Sequence, residues 1–173
     1  MIIDFIVPRN LKIIKDSLNT LASETFSAVS APIQYAAIQA FEGDHKDYIK
    51  SSREILKAIG NYVYENLNSN KVLINKPQGG FYLMPEFINE KFNSSSEMCD
   101  DILKKTGIAL LPGSDFGFNK KRMLARLSFT DFEGKKLMKF YEKNNHLNDE
   151  LIKQIAPKIA EGVKKLKKWS ETI

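Results

Sequence analysis

The chain has 173 residues, 43% of them hydrophobic and 27% charged, with a formal net charge of +5. That length and apolar share support one packed domain, or one with a small appendage, and exclude wholesale disorder. A mild basic excess of this kind fits a solvated lysine surface better than a nucleic-acid footprint, so no nucleic-acid partner is expected.

Cys99 is the single cysteine, so no intrachain disulfide can form, which fits a reducing compartment. It lies in "SEMCDDILKK", a helical stretch where a small packing residue is expected rather than a nucleophile. His45 and His146 sit in polar surroundings, and no Cys/His cluster has metal-ligand spacing, so no metal is expected. No apolar run approaches the ~20 residues needed to span a bilayer. The opening "MIIDFIVPRN" is short, carries Asp4 and has no basic leader. A soluble cytoplasmic protein without membrane contact is expected.

Taken in chain order, residues 2–7 read as a short strand closed by Pro8. Leu11, Ile14, Leu18 and Leu21 then fall on one face at helical spacing, with Asn10 as the cap. The hydroxyl-rich start of "ETFSAVSAPIQYAAIQAF" predicts a loop. From Pro32 the alanine-rich run predicts a compact helix, buried or at an interface. Tyr48, Ser52, Ile55, Ile59, Val63 and Leu67 mark the longest amphipathic helix, ended by "NSN". "KVLINKPQGGFYLMPEF" reads as strand, Pro/Gly turn, strand. A helix with Ser96 near its start and Gly107 at its stop follows. "IALLPG" predicts a short buried strand, "RMLARLSFTDF" another strand, and "GKKLMKFYEKN" a helix. The tail keeps Leu151, Ile155, Ile159, Val163, Leu166 and Trp169 in an apolar stripe, with Pro157 kinking it or starting a second segment. The "KKLKK" run there reads as the solvated face of a packed helix. Interspersed helices and short strands give an α/β (α+β) class with a small three- to four-stranded sheet covered by helices.

Several kinds of site are missing from the sequence. It shows no serine-histidine-acid arrangement, phosphate loop or zinc spacing. The neighbouring acids Asp100 and Asp101 need not converge. What remains is three phrases in order: "PQGGFY" (77–82), "LLPGSDFG" (110–117) and "ARLSF" (125–129). Each joins a strand to glycine-rich backbone, which lets a ligand or another segment approach closely, although turn geometry alone would explain Gly79, Gly80 and Gly113. Arg126 separates these options. It is one of only four arginines and stands in an apolar run, alternating with Ala125, Leu127 and Phe129, so that it and Ser128 share a face. A structural salt bridge at a sheet edge and a carboxylate-gripping fork are both open for it.

The ordered phrases "SETFSAVSAPIQYAAIQAF", "PQGGFYLMP", "TGIALLPGSDFG" and "ARLSF" resemble the C-terminal part of class I/II pyridoxal-phosphate (PLP) aminotransferases, the fold type I group related to aspartate aminotransferase. The resemblance runs from about Pro8 to the last helix. It implies that Arg126 binds the substrate α-carboxylate and that Gly80 and Phe81 line the substrate side of the pocket. It also implies that "SETFSAVSAPIQ" runs near a dimer interface. The family's Schiff-base lysine, in a phrase like S-x-S-K followed by G-x-R-x-G, belongs just upstream of the segment matching "IVPRNL", and none of this chain's lysines has that context.

Residues 1–173 are accordingly expected to form a single domain like the family's small domain, with 9–41 as helices that pack on a large domain or a partner subunit. The expected function is part of an aminotransferase that exchanges an amino group between an amino acid and a 2-oxo acid. No catalytic residue is assigned, and no PLP is expected to bind this chain alone. The Schiff-base lysine carries the proton transfers of that chemistry, and orientation by one arginine does not replace it. A fragment, inactive by itself, cytoplasmic and homo-oligomeric, is the expected form. The alternative is a non-catalytic stand-alone carboxylate-binding module using the same arginine.

Overall fold

The computed structural model describes residues 11–25 and 29–173. The expected strand over 2–7, its Pro8 stop and the Asn10 cap lie outside the described residues. The chain divides into two units, Met1–His45 and Lys46–Ile173.

The first unit holds two helices. In α1 (Lys12–Thr25), the apolar face carries Ile14, Leu18 and Leu21. On the same helix the hydroxyls of Ser17, Thr20 and Thr25 donate to carbonyls one turn back, at 2.9, 3.0 and 2.6 Å. Such back-bonding makes the helix lean on outside packing for its stability. Helix α2 (Ala31–Glu42) starts where expected, with Pro32 in its first turn, where a missing N–H costs nothing. Neither helix contains a buried residue. The expectation that the alanine-rich run is buried therefore fails within this unit, and the interface alternative remains.

The second unit is built around α3 (Lys46–Leu67). Ile55, Ile59, Val63 and Leu67 recur every fourth residue and are all buried. Tyr48, assigned to the same face, is exposed. The helix α4 (Ser95–Thr106) is capped by Ser94, whose hydroxyl accepts from the Glu97 N–H at 3.2 Å. Glu97 reaches back to accept from the Asn93 N–H at 2.9 Å, a reciprocal contact like that of a capping box. Ser96 lies near the helix start and Gly107 ends the helix, both as expected. The remaining helices are α5 (Gly134–Asn144), α6 (Asp149–Ile155) and α7 (Pro157–Ser170). Pro157 begins a separate helix rather than kinking one. Helix α7 packs on α3, α4 and α6, while α5 packs on α3. Trp169 closes this layer against Phe87 (5.4 Å, edge-on) and Phe92 (6.0 Å, stacked).

The strands are β1 (Val72–Leu73), β2 (Tyr82–Leu83), β3 (Glu86–Phe87), β4 (Leu111–Pro112) and β5 (Ala125–Ser128). They form a three-stranded antiparallel sheet in the order β2-β5-β4 and a two-stranded ladder β1-β3, joined by a bridge between Glu86 and Leu124. The α/β expectation holds in this helix-rich form with small sheets. The expected strand-turn-strand around the Pro/Gly turn is not a simple hairpin. β1 pairs with β3, register Val72 to Phe87, and β2 pairs with β5. The "IALLPG" strand buries Leu110, but Leu111 is exposed because it faces out of the sheet beside Arg126.

Candidate functional site

Strand β5 alternates cleanly. Ala125 and Leu127 point into the core, Arg126 is half-buried and Ser128 is exposed. Residues paired directly across an antiparallel ladder share a face. Tyr82 lies opposite Ser128, and Leu111 lies opposite Arg126. Arg126, Ser128, Tyr82 and Leu111 therefore share the solvent-facing side of the sheet.

Two turns shape this face. Gly80 has φ 71° and delivers the chain into β2, a backbone setting that favours glycine. Phe81 follows, with its ring 4.3 Å from that of Tyr82, and its carbonyl accepts from the Phe129 N–H at 3.2 Å. On the other side, Gly113 opens a short 3-10 helix over Gly113–Phe116. Its N–H donates to the Leu124 carbonyl at 2.8 Å, and an added Cβ would stand 2.7 Å from the Leu124 Cβ. Only glycine lets the two backbones come this close. This turn carries Phe116 back over the sheet.

The guanidinium carbon of Arg126 lies 4.4 Å from the ring centre of Tyr82 and 4.4 Å from that of Phe116. No carboxylate among the described residues is within ion-pair distance of it. Its neighbour Arg122 differs. Its Nε donates to Glu86 Oε1 at 2.9 Å and its Nη2 to Oε2 at 2.6 Å. The hydrogen-bonded Arg122 holds the Glu86 carboxyl below the ordinary range. One arginine is thus saturated by a bidentate acid, and the other keeps its fork open.

Of the expected site residues, Arg126 stands on this face, while Gly80 and Phe81 sit at the entry to β2, with Phe81 opposite buried Phe129. Arg126 and Phe81 are linked through the β2–β5 ladder, and Gly80 sits at its head. Sequence reasoning did not single out Tyr82 or Phe116. Both stood inside quoted phrases, but their convergence depends on strand pairing that no spacing rule supplies. A cleft of about 320 Å³ opens near the end of β5, lined among others by Ser128, Phe129, Asp131 and Lys158; Arg126 is not in its wall. Cys99 is buried, and that burial, with Asp100 and Asp115 nearby, pushes its thiol up to about 11, as suits a packing residue. Asp101 turns away from Asp100 to accept from Trp169 Nε1 at 2.9 Å and to pair with Lys105. No metal-binding cluster of His, Cys, Asp or Glu occurs among the described residues, nor any helix long and apolar enough to cross a membrane.

Fold and face together define an α/β domain that presents an arginine beside two aromatic rings, with no acid partner among the described residues. The sequence model of the family "Aminotransferase class I and II" matches residues 7–141, and the chain belongs to that family. It is 32% identical over 109 residues to an aspartate aminotransferase of Bacillus sp. (strain YM-2), covering 59% of this chain and 27% of that protein. An aspartate aminotransferase of Thermotoga maritima is 30% identical over 113 residues, covering 65% of this chain and 27% of that protein. The solved alanine aminotransferase of Pyrococcus furiosus superposes with a TM-score of 0.70 at 23% identity, covering 95% of this chain and 36% of that one. The chain spans about a quarter of the curated relatives it matches, 27% in both cases.

The family depends on PLP, which would be carried on the amine of a lysine and supply an electron sink for the substrate's amine-bearing carbon. Such a lysine must be held dry enough to stay neutral. Among the described residues every lysine is solvent-exposed except the half-buried Lys15. The rings and guanidinium of the sheet face offer no amine. The residues described here do not by themselves fit the cofactor.

Proposed function

We propose that the chain supplies the carboxylate-binding side of a PLP-dependent aminotransferase, one that moves an amino group between an amino acid and a 2-oxo acid. Arg126 is the fork that takes the α-carboxylate, and Gly80 and Phe81 line the approach to it. The supporting observation is a half-buried arginine with no acid partner among the described residues, beside an arginine held bidentately by Glu86. Leaving such a group without an anion forgoes a charge-assisted bidentate contact of about 1.5–3 kcal/mol.

The two-helix unit is the part that packs on a large domain or a partner subunit, and its bare apolar faces make the isolated chain self-associate. The chain alone carries no amino-transfer activity, because orientation of a substrate does not replace the amine. Calorimetric titration with 2-oxoglutarate is the test. Weak binding lost in Arg126→Ala and reduced in Arg126→Lys is expected, since lysine lacks the planar fork. Binding unchanged in Arg126→Ala would remove the proposal. A transamination assay on the purified chain tests the partial-enzyme form: activity without added protein would contradict it.

A further inference from the structure

We propose that Tyr82 and Phe116 are positioning residues, an aromatic clamp that fixes the plane of the Arg126 guanidinium so that its fork meets a carboxylate edge-on. This rests on Arg126 being the carboxylate fork. The two rings come from separate elements, Tyr82 from β2 on one flank of β5 and Phe116 from the 3-10 helix that follows β4 on the other. Both are placed at the same distance, 4.4 Å, from the same carbon. That distance is stacking range, where the ring quadrupole attracts the cation.

The consequence is directional. An arginine side chain has four rotatable bonds, and a solvated guanidinium samples many orientations at a cost in binding entropy. In the proposed clamp each ring covers a guanidinium face, which leaves hydrogen bonding to the N–H edges in the plane. A carboxylate docking there does so bidentately and coplanar with the guanidinium. The supports of the clamp are themselves fixed. Phe81 packs on Tyr82, and the close Gly113–Leu124 approach sets the turn that carries Phe116. Both clamp rings are partly solvent-exposed, at 42% and 39%, so truncating either opens no core cavity.

The test compares ring-removing variants (Tyr82→Leu, Phe116→Leu) with ring-keeping ones (Tyr82→Phe, Phe116→Tyr) in the full 173-residue chain. Two quantities are read: affinity for 2-oxoglutarate, and the ring-current shielding of the Arg126 Nε–H and δ-methylene in NMR spectra. Each ring removal is expected to weaken binding about three- to tenfold and to reduce the shielding, whereas ring-keeping variants stay within about twofold. Full affinity in both leucine variants, with shielding lost, would overturn the clamp and leave Arg126 as the fork. Absence of shielding in the unsubstituted protein would overturn it too. Failure of the unsubstituted protein to bind 2-oxoglutarate at all, with shielding intact, would instead overturn the carboxylate fork and the clamp with it.

Discussion

Helices α1 and α3 carry the same kind of apolar stripe and meet opposite fates. In α3, Ile55, Ile59, Val63 and Leu67 are buried in the core of the second unit. In α1, Ile14, Leu18 and Leu21 point to solvent, and α2 adds exposed Ile33, Tyr35 and Phe41. The difference does not lie in the helices' own patterning, since both are amphipathic. It lies in whether the chain supplies a covering layer. For α3 the cover is α5 and α7. An amphipathic stripe says that a face needs a cover and is silent on which molecule provides it. A chain that spans 27% of the length of the relatives it matches leaves room for that cover to be elsewhere.

The largest expected effect contrasts one residue from each helix. Ile59, fully buried, should cost about 2–5 kcal/mol when cut to alanine, while Leu18→Ala in dilute protein should stay within about 0.5 kcal/mol. Urea unfolding followed by circular dichroism measures both. A large loss at Leu18 would mean that α1 is already covered in solution and would dissolve the comparison.

Two glycines of the site region come next. Gly113→Ala puts a methyl 2.7 Å from the Leu124 Cβ and should destabilise by about 1–3 kcal/mol, because β4 must move away from β5. Gly79→Ala meets nothing within 4 Å and should be near neutral. Equal melting temperatures for the two variants would show that the turn beside Arg126 is slack.

Self-association is the third point of contrast. Dimers or larger species are expected in sedimentation, with Leu18→Lys and Phe41→Lys each weakening association about tenfold by burying a charge at an apolar contact. A single monomeric species across a wide concentration range would leave the first unit bare and uncovered by copies of itself.

Much of this architecture was readable because it is local. Four-residue spacing marked α3, Pro157 marked a kink or a new segment, of which the structure has the second, and Gly107 marked a helix stop. A lone arginine alternating with Leu127 and Phe129 marked strand β5. Non-local features were not readable. Strands of two residues are too short for periodicity to reveal their partners, so the β1–β3 pairing was missed. The exposure of Leu111 follows from its register opposite Arg126, and register is a tertiary property. The same is true of Tyr82 and Phe116, which meet only because β5 lies between β2 and β4.

The smallest expected effect probes the polar edge of the second unit's core. Partial burial opposes ionisation of Asp101, but hydrogen bonds from Lys105 and Trp169 outweigh it and hold the carboxyl below the ordinary aspartate range. The unfolded chain then binds this proton more readily than the folded one. The stabilisation is fully present above the unfolded value of about 3.9 and is lost as pH falls through the depressed folded value. Asp101→Asn should therefore cost about 1 kcal/mol at neutral pH and flatten the acid side of the stability profile. Glu86, lowered by Arg122, loses its stabilisation in the same acid direction and is untouched by that variant, so some acid dependence should persist. Trp169 fluorescence during acid titration reads the loss directly, since its indole N–H is Asp101's partner. An Asp101→Asn profile identical to the parent's would mean that the charge of Asp101 contributes nothing to the core's stability, leaving neutral hydrogen bonding and apolar packing to separate the second unit from the first.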